Sequence, residues 1–218
     1  MPTRKPQGDF DVNVFINCPF DDQYNPLFLA IVFTVTVLGF RPRCSMEVNI
    51  DDRLDKIIEI ICDCKYVIHD ISRVEKTRIQ DGTHLPRFNM PFELGIDVGL
   101  KAIGKAKNDP RLKNKRLLIM DGDPHRYQIV ISDLKGRDIE CHENTVPVVI
   151  AKVRHWLNEA EKRERPLPPT ALVQKEYRKF RRKFRDDISF HDMSFKDYCF
   201  ACAKYVDERN AIKGTSSP

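Results

Sequence analysis

Short apolar runs alternate with longer amphipathic stretches over most of the chain. The short runs are rich in β-branched and aromatic residues and are typical of buried strands. They occupy 12–18, 40–46, 65–71, 114–122 and 137–142. The longer stretches carry apolar residues at helical spacing, and they occupy 26–39, 51–64, 91–104 and 145–165. The pattern therefore predicts strands and helices in alternation, with a polar loop at 72–88.

This alternation predicts an α/β domain built on a parallel five-stranded sheet, with helices on both faces and a flavodoxin-like strand order. Pro42 lies inside the second strand, and because proline cannot donate to a ladder we place that strand at an edge. The segment ERPLPPT (164–170) carries three prolines and predicts a hinge. We therefore divide the chain into an α/β domain, 1–165, and a basic C-terminal helical appendage, 166–218.

Composition indicates a protein of the cytoplasm. Of 218 residues, 41% are apolar, and no apolar run is long enough to span a membrane. The first residues, MPTRKPQGDFD, lack the apolar core of a signal peptide. Seven cysteines are an odd number for a disulfide framework, so we expect reduced thiols. Cys199 and Cys202 form a lone C-x-x-C without a second ligand pair, so we expect no metal.

The positive charge is concentrated in one segment. The formal net charge is +5, and much of the excess comes from QKEYRKFRRKFRDD at 174–187. Such a run is usually the solvated face of a helix. We therefore expect neither a nucleic-acid partner nor a membrane partner.

One carboxylate, Glu93, has a setting that needs an explanation. It lies among phenylalanine, methionine, proline and leucine in the sequence PRFNMPFELGIDVGLKAIG (86–104). Burying a charge is costly unless something compensates. Glu93 falls in the first turn of a predicted helix, where the helix dipole contributes only about 0.3–1 kcal/mol. Either an arginine, Arg73 or Arg87, pairs with Glu93, or the carboxylate faces a ligand pocket.

Polar and aromatic residues follow the carboxyl ends of the first three predicted strands. In an open parallel sheet, ligands bind beyond these ends, where the strand order reverses. The candidate site residues at this edge are Asn17, Pro19, Phe20, Asp21, Tyr24, Arg43, Asp70, Ser72, Arg87, Asn89 and Glu93. Taken singly, each has a structural explanation; Asp70, for example, is suited to capping the loop that follows its strand. Their convergence at one sheet edge is what points to a site.

Three segments together resemble a known superfamily. VFINCPF followed by a helix, the strand YVIHDIS, and FNMPFELG are similar to the TIR domain and nucleoside 2-deoxyribosyltransferase-like superfamily, over roughly 10–160. The order and spacing of these motifs carry the resemblance. It implies that Glu93 is the catalytic carboxylate, which acts on the anomeric carbon of a ribosyl group. It also implies that Asp70 holds the base or sugar, and that the loop from Asn17 to Asp22 lines a nucleotide pocket.

The leaving group distinguishes two branches of this superfamily. Cleavage of an N-glycosidic bond passes through an oxocarbenium-like state that a carboxylate stabilises, and a neutral nucleobase additionally needs a proton donor. The deoxyribosyltransferases carry an aspartate where this chain has Arg87, Phe88 and Asn89. Nicotinamide leaves from a cationic nitrogen and needs no such acid. We therefore expect an N-glycosidase that hydrolyses NAD to nicotinamide and linear or cyclised ADP-ribose, with NAD as substrate and no cofactor.

Arginines at positions 41, 43, 73 and 87 are available for the phosphates of such a nucleotide. The resemblance further implies a homo-oligomer and a role in bacterial antiviral defence. The same pocket also suits a nucleotide-sensing or self-assembling adaptor without turnover, or a nucleoside deoxyribosyltransferase or nucleosidase. A phospho-acceptor receiver domain would use Asp21, Asp22 and Asp70. It would also need a lysine after the fifth strand, where the chain has CHE at 141–143.

Overall fold

The strands of the protein form one parallel sheet and a small hairpin. The computed structural model describes residues 9–48, 52–72, 76–78, 84–86, 88–126, 131–134, 138–161, 166–185 and 193–214. Its strands are β1 (Asn13–Asn17), β2 (Arg41–Cys44), β3 (Tyr66–Asp70), β4 (Lys76–Arg78), β5 (His84–Pro86), β6 (Arg116–Asp121) and β7 (Ile139–Cys141). Five of them form an all-parallel sheet in the order β2-β1-β3-β6-β7, and β4 pairs with β5 in antiparallel fashion.

Helices cover both faces of the parallel sheet. They are α1 (Asn25–Val37), α2 (Arg53–Cys62), α3 (Asn89–Ala106), α4 (Pro110–Lys113), α5 (Val146–Ala160), α6 (Thr170–Arg185) and α7 (Phe195–Gly214). This architecture confirms the predicted α/β flavodoxin-like fold, with β2 at an edge as Pro42 indicated. The predicted polar loop at 72–88 instead contains β4 and β5, whose three-residue strands are too short to show an alternating pattern. None of the described helices is long and apolar enough to cross a membrane.

The two faces of the sheet support different helices. Tyr66 and Ile68 of β3 pack in one apolar cluster with α1 and α5. Val67, between them, packs with α2 in a second cluster. Successive side chains of a strand point to opposite faces, so a strand covered on both faces must be apolar throughout. The unbroken apolar runs noted in the sequence have this cause.

Helix α1 is apolar on all sides and is covered on all sides. Its turns are buried from Leu27 to Val37 almost without interruption. One side faces the sheet and α5, and the others contact α6 and α7. The C-terminal region therefore closes the main core. Its two helices contribute Val173, Tyr177, Phe180, Tyr198, Ala201 and Cys202, and the segment before them contributes Leu167.

An aromatic cluster connects the C-terminal helices to α1. The Phe180 ring of α6 is fully buried, and its centroid lies 5.0 Å from that of Phe33 in α1. The rings of Tyr198 and Tyr205 in α7 lie 5.8 and 5.4 Å from Phe180. Such pairs add to the free energy gained by burial alone.

We expect Phe180→Ala to lower the free energy of unfolding by roughly 3–5 kcal/mol, because it empties a fully buried site. Urea denaturation followed by circular dichroism measures this change. Phe200 on α7 is a matched control because it is 71% exposed, and Phe200→Ala should change stability by less than about 0.5 kcal/mol. Equal effects of the two substitutions would contradict the assignment of α6 to the core.

Candidate functional site

A cleft opens at the carboxyl end of the sheet, between β1, α2 and α3. Its volume is about 620 Å³, which is within the range of ligand-binding pockets. Asn17 and Cys18 lie at the end of β1, and Arg53 begins α2. The remaining described lining residues are Phe20, Ser45, Leu54, Ile57, Phe88, Asn89, Met90, Phe92 and Glu93. The cleft is therefore mainly apolar, with a few polar groups from three elements.

Glu93 is the one carboxylic acid among the described residues that line the cleft. Only 8% of the residue is exposed, and its Oε2 atom has no hydrogen-bond partner among the described residues. Burial raises the pKa of the Glu93 carboxyl to about 7, and the nearby Arg53 charge opposes this rise. The described residues thus place the Glu93 carboxylate in a pocket; Arg73 and Arg87, its two predicted partners, lie outside them.

Glu93 lies two residues further into α3 than predicted. The helix begins at Asn89, so Glu93 is its fifth residue and no acid occupies the first turn. Pro91 permits this earlier start, because a proline in the first helical turn removes no intrahelical hydrogen bond. The dipole contribution expected for a first-turn acid is correspondingly smaller, which leaves the desolvation of Glu93 less compensated.

Asn17 attaches the start of α3 to the sheet. Its side-chain Nδ2 donates to the Met90 carbonyl oxygen at 2.9 Å and to Nδ1 of His69 at 2.9 Å. The other ring nitrogen of His69, Nε2, lies 3.2 Å from Oδ2 of Asp97 in α3. Asn17, which was predicted to bind substrate, lines the cleft, and both hydrogens of its amide nitrogen are engaged inside the protein.

A buried ion pair continues this chain of polar groups. Nζ of Lys115 lies 3.1 Å from Oδ1 of Asp97, and both residues are fully buried. Lys115 also donates to the carbonyl oxygens of Ile61 and Cys64 at 2.6 and 2.7 Å. Although burial alone would raise it, His69 and Lys115 together lower the pKa of Asp97. The Asp97 carboxylate is thus compensated in the way that Glu93 is not.

Asp70 lies outside the described lining of the cleft. It follows His69 in β3 and points to the opposite face of the sheet. Its Oδ2 atom accepts the Tyr24 hydroxyl at 2.5 Å and lies 2.9 Å from Nε2 of His142. Its Oδ1 atom accepts the backbone N–H of Ser72 at 2.9 Å. Asp70 and two of the predicted binding residues, Tyr24 and Ser72, therefore form a buried network of their own.

The other predicted residues divide between the cleft and its surroundings. Phe20 and Asn89 line the cleft. Pro19 and Asp21 line a neighbouring pocket of about 240 Å³, which also contacts the start of α7. Asp21 accepts the Tyr24 backbone N–H at 3.0 Å. Arg87, like Arg73, lies outside the described residues.

Arg43 was predicted to bind phosphate, but its guanidinium is engaged elsewhere. Its Nε atom lies 2.8 Å from Oε2 of Glu47, four residues later. It does not belong to the described lining of the Glu93 cleft. The structure places Arg53 there instead. Arg53 was missed because 51–64 was interpreted only as an amphipathic helix, although its position just beyond β2 met the criterion applied to Arg43.

Large apolar side chains surround the mouth of the cleft. Phe88 is 67% exposed and Phe92 56% exposed, and Phe20 and Leu54 are also exposed. These four residues all line the cleft. Exposed apolar patches of this kind commonly mark binding sites. A flat ring is one kind of ligand group that such a surface would contact.

The buried thiol of Cys18 is poorly suited to act as a nucleophile in this cleft. Burial is the main factor that raises the pKa of its thiol well above the usual value, and the negative charges of Asp70 and Glu93 raise it further. A protonated thiol is a poor nucleophile. The described residues also contain no group of three or more His, Cys, Asp or Glu side chains arranged to hold a metal ion.

Comparison of the chain with protein-family models, with curated proteins and with solved structures returns no match.

The raised pKa of Glu93 has a consequence for stability. With a folded-state pKa of about 7 and an unfolded value of about 4.3, Glu93 makes folding progressively less favourable as the pH rises through this window. Glutamine carries no charge at any pH, so Glu93→Gln does not lose stability in this way as the pH rises. We therefore expect the stability of the variant relative to wild type to improve by roughly 1–3 kcal/mol between pH 4 and pH 8, as measured by urea denaturation at each pH.

The exposed Glu59 of α2 provides a control for this measurement. Glu59→Gln removes the same charge, and its relative stability should change by less than about 0.5 kcal/mol over the same pH range. If the stability of Glu93→Gln relative to wild type changes with pH as little as that of Glu59→Gln, the Glu93 carboxyl is hydrated in the folded protein.

Proposed function

We propose that the cleft is the active site of a nucleotide N-glycosidic-bond hydrolase, and that its substrate is NAD. The observation that carries the proposal is a buried carboxylate, Glu93, without a hydrogen-bond partner among the described residues, in a cleft of about 620 Å³. Unpaired carboxylates are costly to bury. A buried carboxylate stabilises a cation that forms beside it during the reaction, because the attraction between the two charges is strong in a site with little water.

The chemistry fits NAD better than a neutral nucleoside. When the bond between the anomeric carbon and the nicotinamide nitrogen breaks, its electron pair neutralises the pyridinium and leaves an oxocarbenium-like ribosyl group. Glu93 as an ionised carboxylate stabilises that group until water adds to the anomeric carbon and loses a proton. The leaving group needs no proton, and no second carboxylic acid is found among the described lining residues.

The cleft walls offer partners for the other parts of NAD. Arg53 is exposed and presents a guanidinium suited to phosphate oxygens. The exposed rings of Phe88 and Phe92 present flat apolar surfaces to the nicotinamide or adenine ring. In this proposal Asp70 does not contact the substrate; it supports the loop after β3 through Ser72.

A nucleosidase or deoxyribosyltransferase is the second candidate. A carboxyl group with a pKa of about 7 is also suited to donating a proton to a leaving nucleobase near neutral pH. The biological setting, a cytoplasmic homo-oligomer that acts in bacterial antiviral defence, is supported by the motif resemblance alone.

The pH dependence of turnover distinguishes the two candidates. If Glu93 acts as a carboxylate on NAD, kcat/KM for nicotinamide release rises with pH, with a midpoint near the pKa of about 7. Arg53 and the protonated Cys18 are the titratable groups that face Glu93 from α2 and β1. Glu93→Gln should reduce kcat by about 10³-fold or more. Activity that falls above pH 7, or undiminished turnover by the variant, contradicts the proposal.

Arg53 provides a test of the phosphate contact. We expect Arg53→Ala to raise KM for NAD by roughly 10- to 100-fold, which is the loss of one charge-assisted contact of about 1.4–2.8 kcal/mol. Hydrolysis of nicotinamide riboside, which lacks phosphate, should change far less. Arg43→Ala is the matched control, because Arg43 is paired with Glu47 outside the cleft. A larger effect from Arg43→Ala would reverse the assignment.

A further inference from the structure

The orientation of Glu93 has no visible cause in its own contacts. No hydrogen bond or ion pair reaches its carboxylate from the described residues, and Oε2 is buried without a partner. Since no hydrogen bond or ion pair from the described residues orients this side chain, its direction depends on the position of the α3 backbone. Whatever fixes α3 around Glu93 therefore determines where the carboxylate points.

Two polar contacts fix α3 on either side of Glu93. Three residues before it, the Met90 carbonyl accepts the Asn17 amide at 2.9 Å. Four residues after it, Asp97 lies 3.2 Å from Nε2 of His69. Residues four apart share one face of a helix, so the side chains of Glu93 and Asp97 lie on the same side of α3. Asn17 ends β1 and His69 lies beside it in β3, so both contacts connect α3 to paired strands.

His69 joins the two contacts into one unit. The Asn17 amide nitrogen can only donate, so Nδ1 of His69 must accept its hydrogen bond. The ring proton is then on Nε2, which donates it to Asp97. Full burial lowers the pKa of His69 and keeps the ring neutral. Lys115 in turn compensates the charge of Asp97.

We propose that His69 is a positioning residue for Glu93. Its two ring nitrogens connect the anchors of α3 before and after the carboxylate. It thereby sets the direction in which Glu93, whose Oε2 atom has no hydrogen-bond partner among the described residues, points into the cleft. The catalytic meaning of this role rests on the proposed function. The positioning itself is measurable without turnover.

The wild-type protein gives the first test. Nitrogen-15 NMR of His69 at pH 8 should show a neutral ring with its proton on Nε2. A proton on Nδ1, or a charged ring at that pH, would break the chain of hydrogen bonds and overturn the proposal. This measurement does not depend on any variant remaining folded.

Two substitutions each retain one half of the connection. His69→Asn keeps an acceptor close to Asn17 but cannot reach Asp97, and His69→Gln keeps a donor for Asp97 but presents no ring nitrogen to Asn17. We expect each to move the carbon-13 titration midpoint of Glu93 from about 7 toward its ordinary value, because a loosened helix hydrates the carboxylate. In the proposed reaction, kcat should fall by roughly 10- to 100-fold with KM changed by less than about threefold.

Tyr205→Phe controls for a general loss of stability. It removes the hydrogen bond from the Tyr205 hydroxyl to Glu176, 2.9 Å long, between the C-terminal helices. It should leave the Glu93 titration unchanged. A Glu93 midpoint that stays at the wild-type value in both His69 variants would reduce His69 to a structural role and overturn the proposal.

The outcomes separate this inference from the proposed function. If the Glu93 titration depends on His69 but no substrate is hydrolysed, the proposed function fails and the positioning role stands. If NAD is hydrolysed through Glu93, but the Glu93 titration midpoint and kcat are the same in the His69 variants as in wild type, the positioning role fails and the function stands.

Discussion

Helix α1 has no polar face to turn toward water, and much of the architecture follows from this. A helix in a two-layered arrangement is half-covered, but α1 is buried along nearly its whole length. The sheet and α5 cover it on one side, and α6 and α7 cover the rest. The described residues from 166 onward thus form a third layer on this face of the sheet. Its basic residues lie on the outer side of α6, because Val173, Tyr177 and Phe180 take the inner side.

The opposite face of the sheet contains buried polar groups with partners and one buried carboxylate, Glu93, without a hydrogen-bond partner for Oε2 among the described residues. Asp97, His69 and Lys115 are buried there, yet each has a partner that compensates for the loss of water. Glu93 is on the same helix as Asp97, one turn earlier, and lacks such partners among the described residues. Well-compensated groups next to an uncompensated one are typical of sites where a scaffold holds a reactive group in place.

The sequence was sufficient for the parallel sheet because β1, β3 and β6 lie in apolar runs and helices such as α2 and α5 show helical spacing. The sequence predicted the composition of the candidate site less well. Residues after strand ends were taken to converge, but His69 and Asp70 are neighbours that point to opposite faces, so only part of the set reaches the cleft. Asp97 was missed, although its spacing of four from Glu93 placed it on the same face. The position of Arg53 in the cleft and the pairing of Arg43 with Glu47 depend on how the chain packs in three dimensions. The pattern of residues along the sequence does not show this.

Lys115 connects the two helices that form the walls of the cleft. Its ammonium group donates to the carbonyl oxygens of Ile61, in the last turn of α2, and of Cys64, just after this helix, and it pairs with the Asp97 carboxylate of α3. Arg53 begins α2, and Glu93 lies one turn before Asp97 in α3. The relative position of Arg53 and Glu93 therefore depends on contacts buried between the two helices. The exposed aromatic residues at the rim of the cleft make none of these contacts. Rim residues can thus be exchanged during evolution while the buried contacts between α2 and α3 are kept.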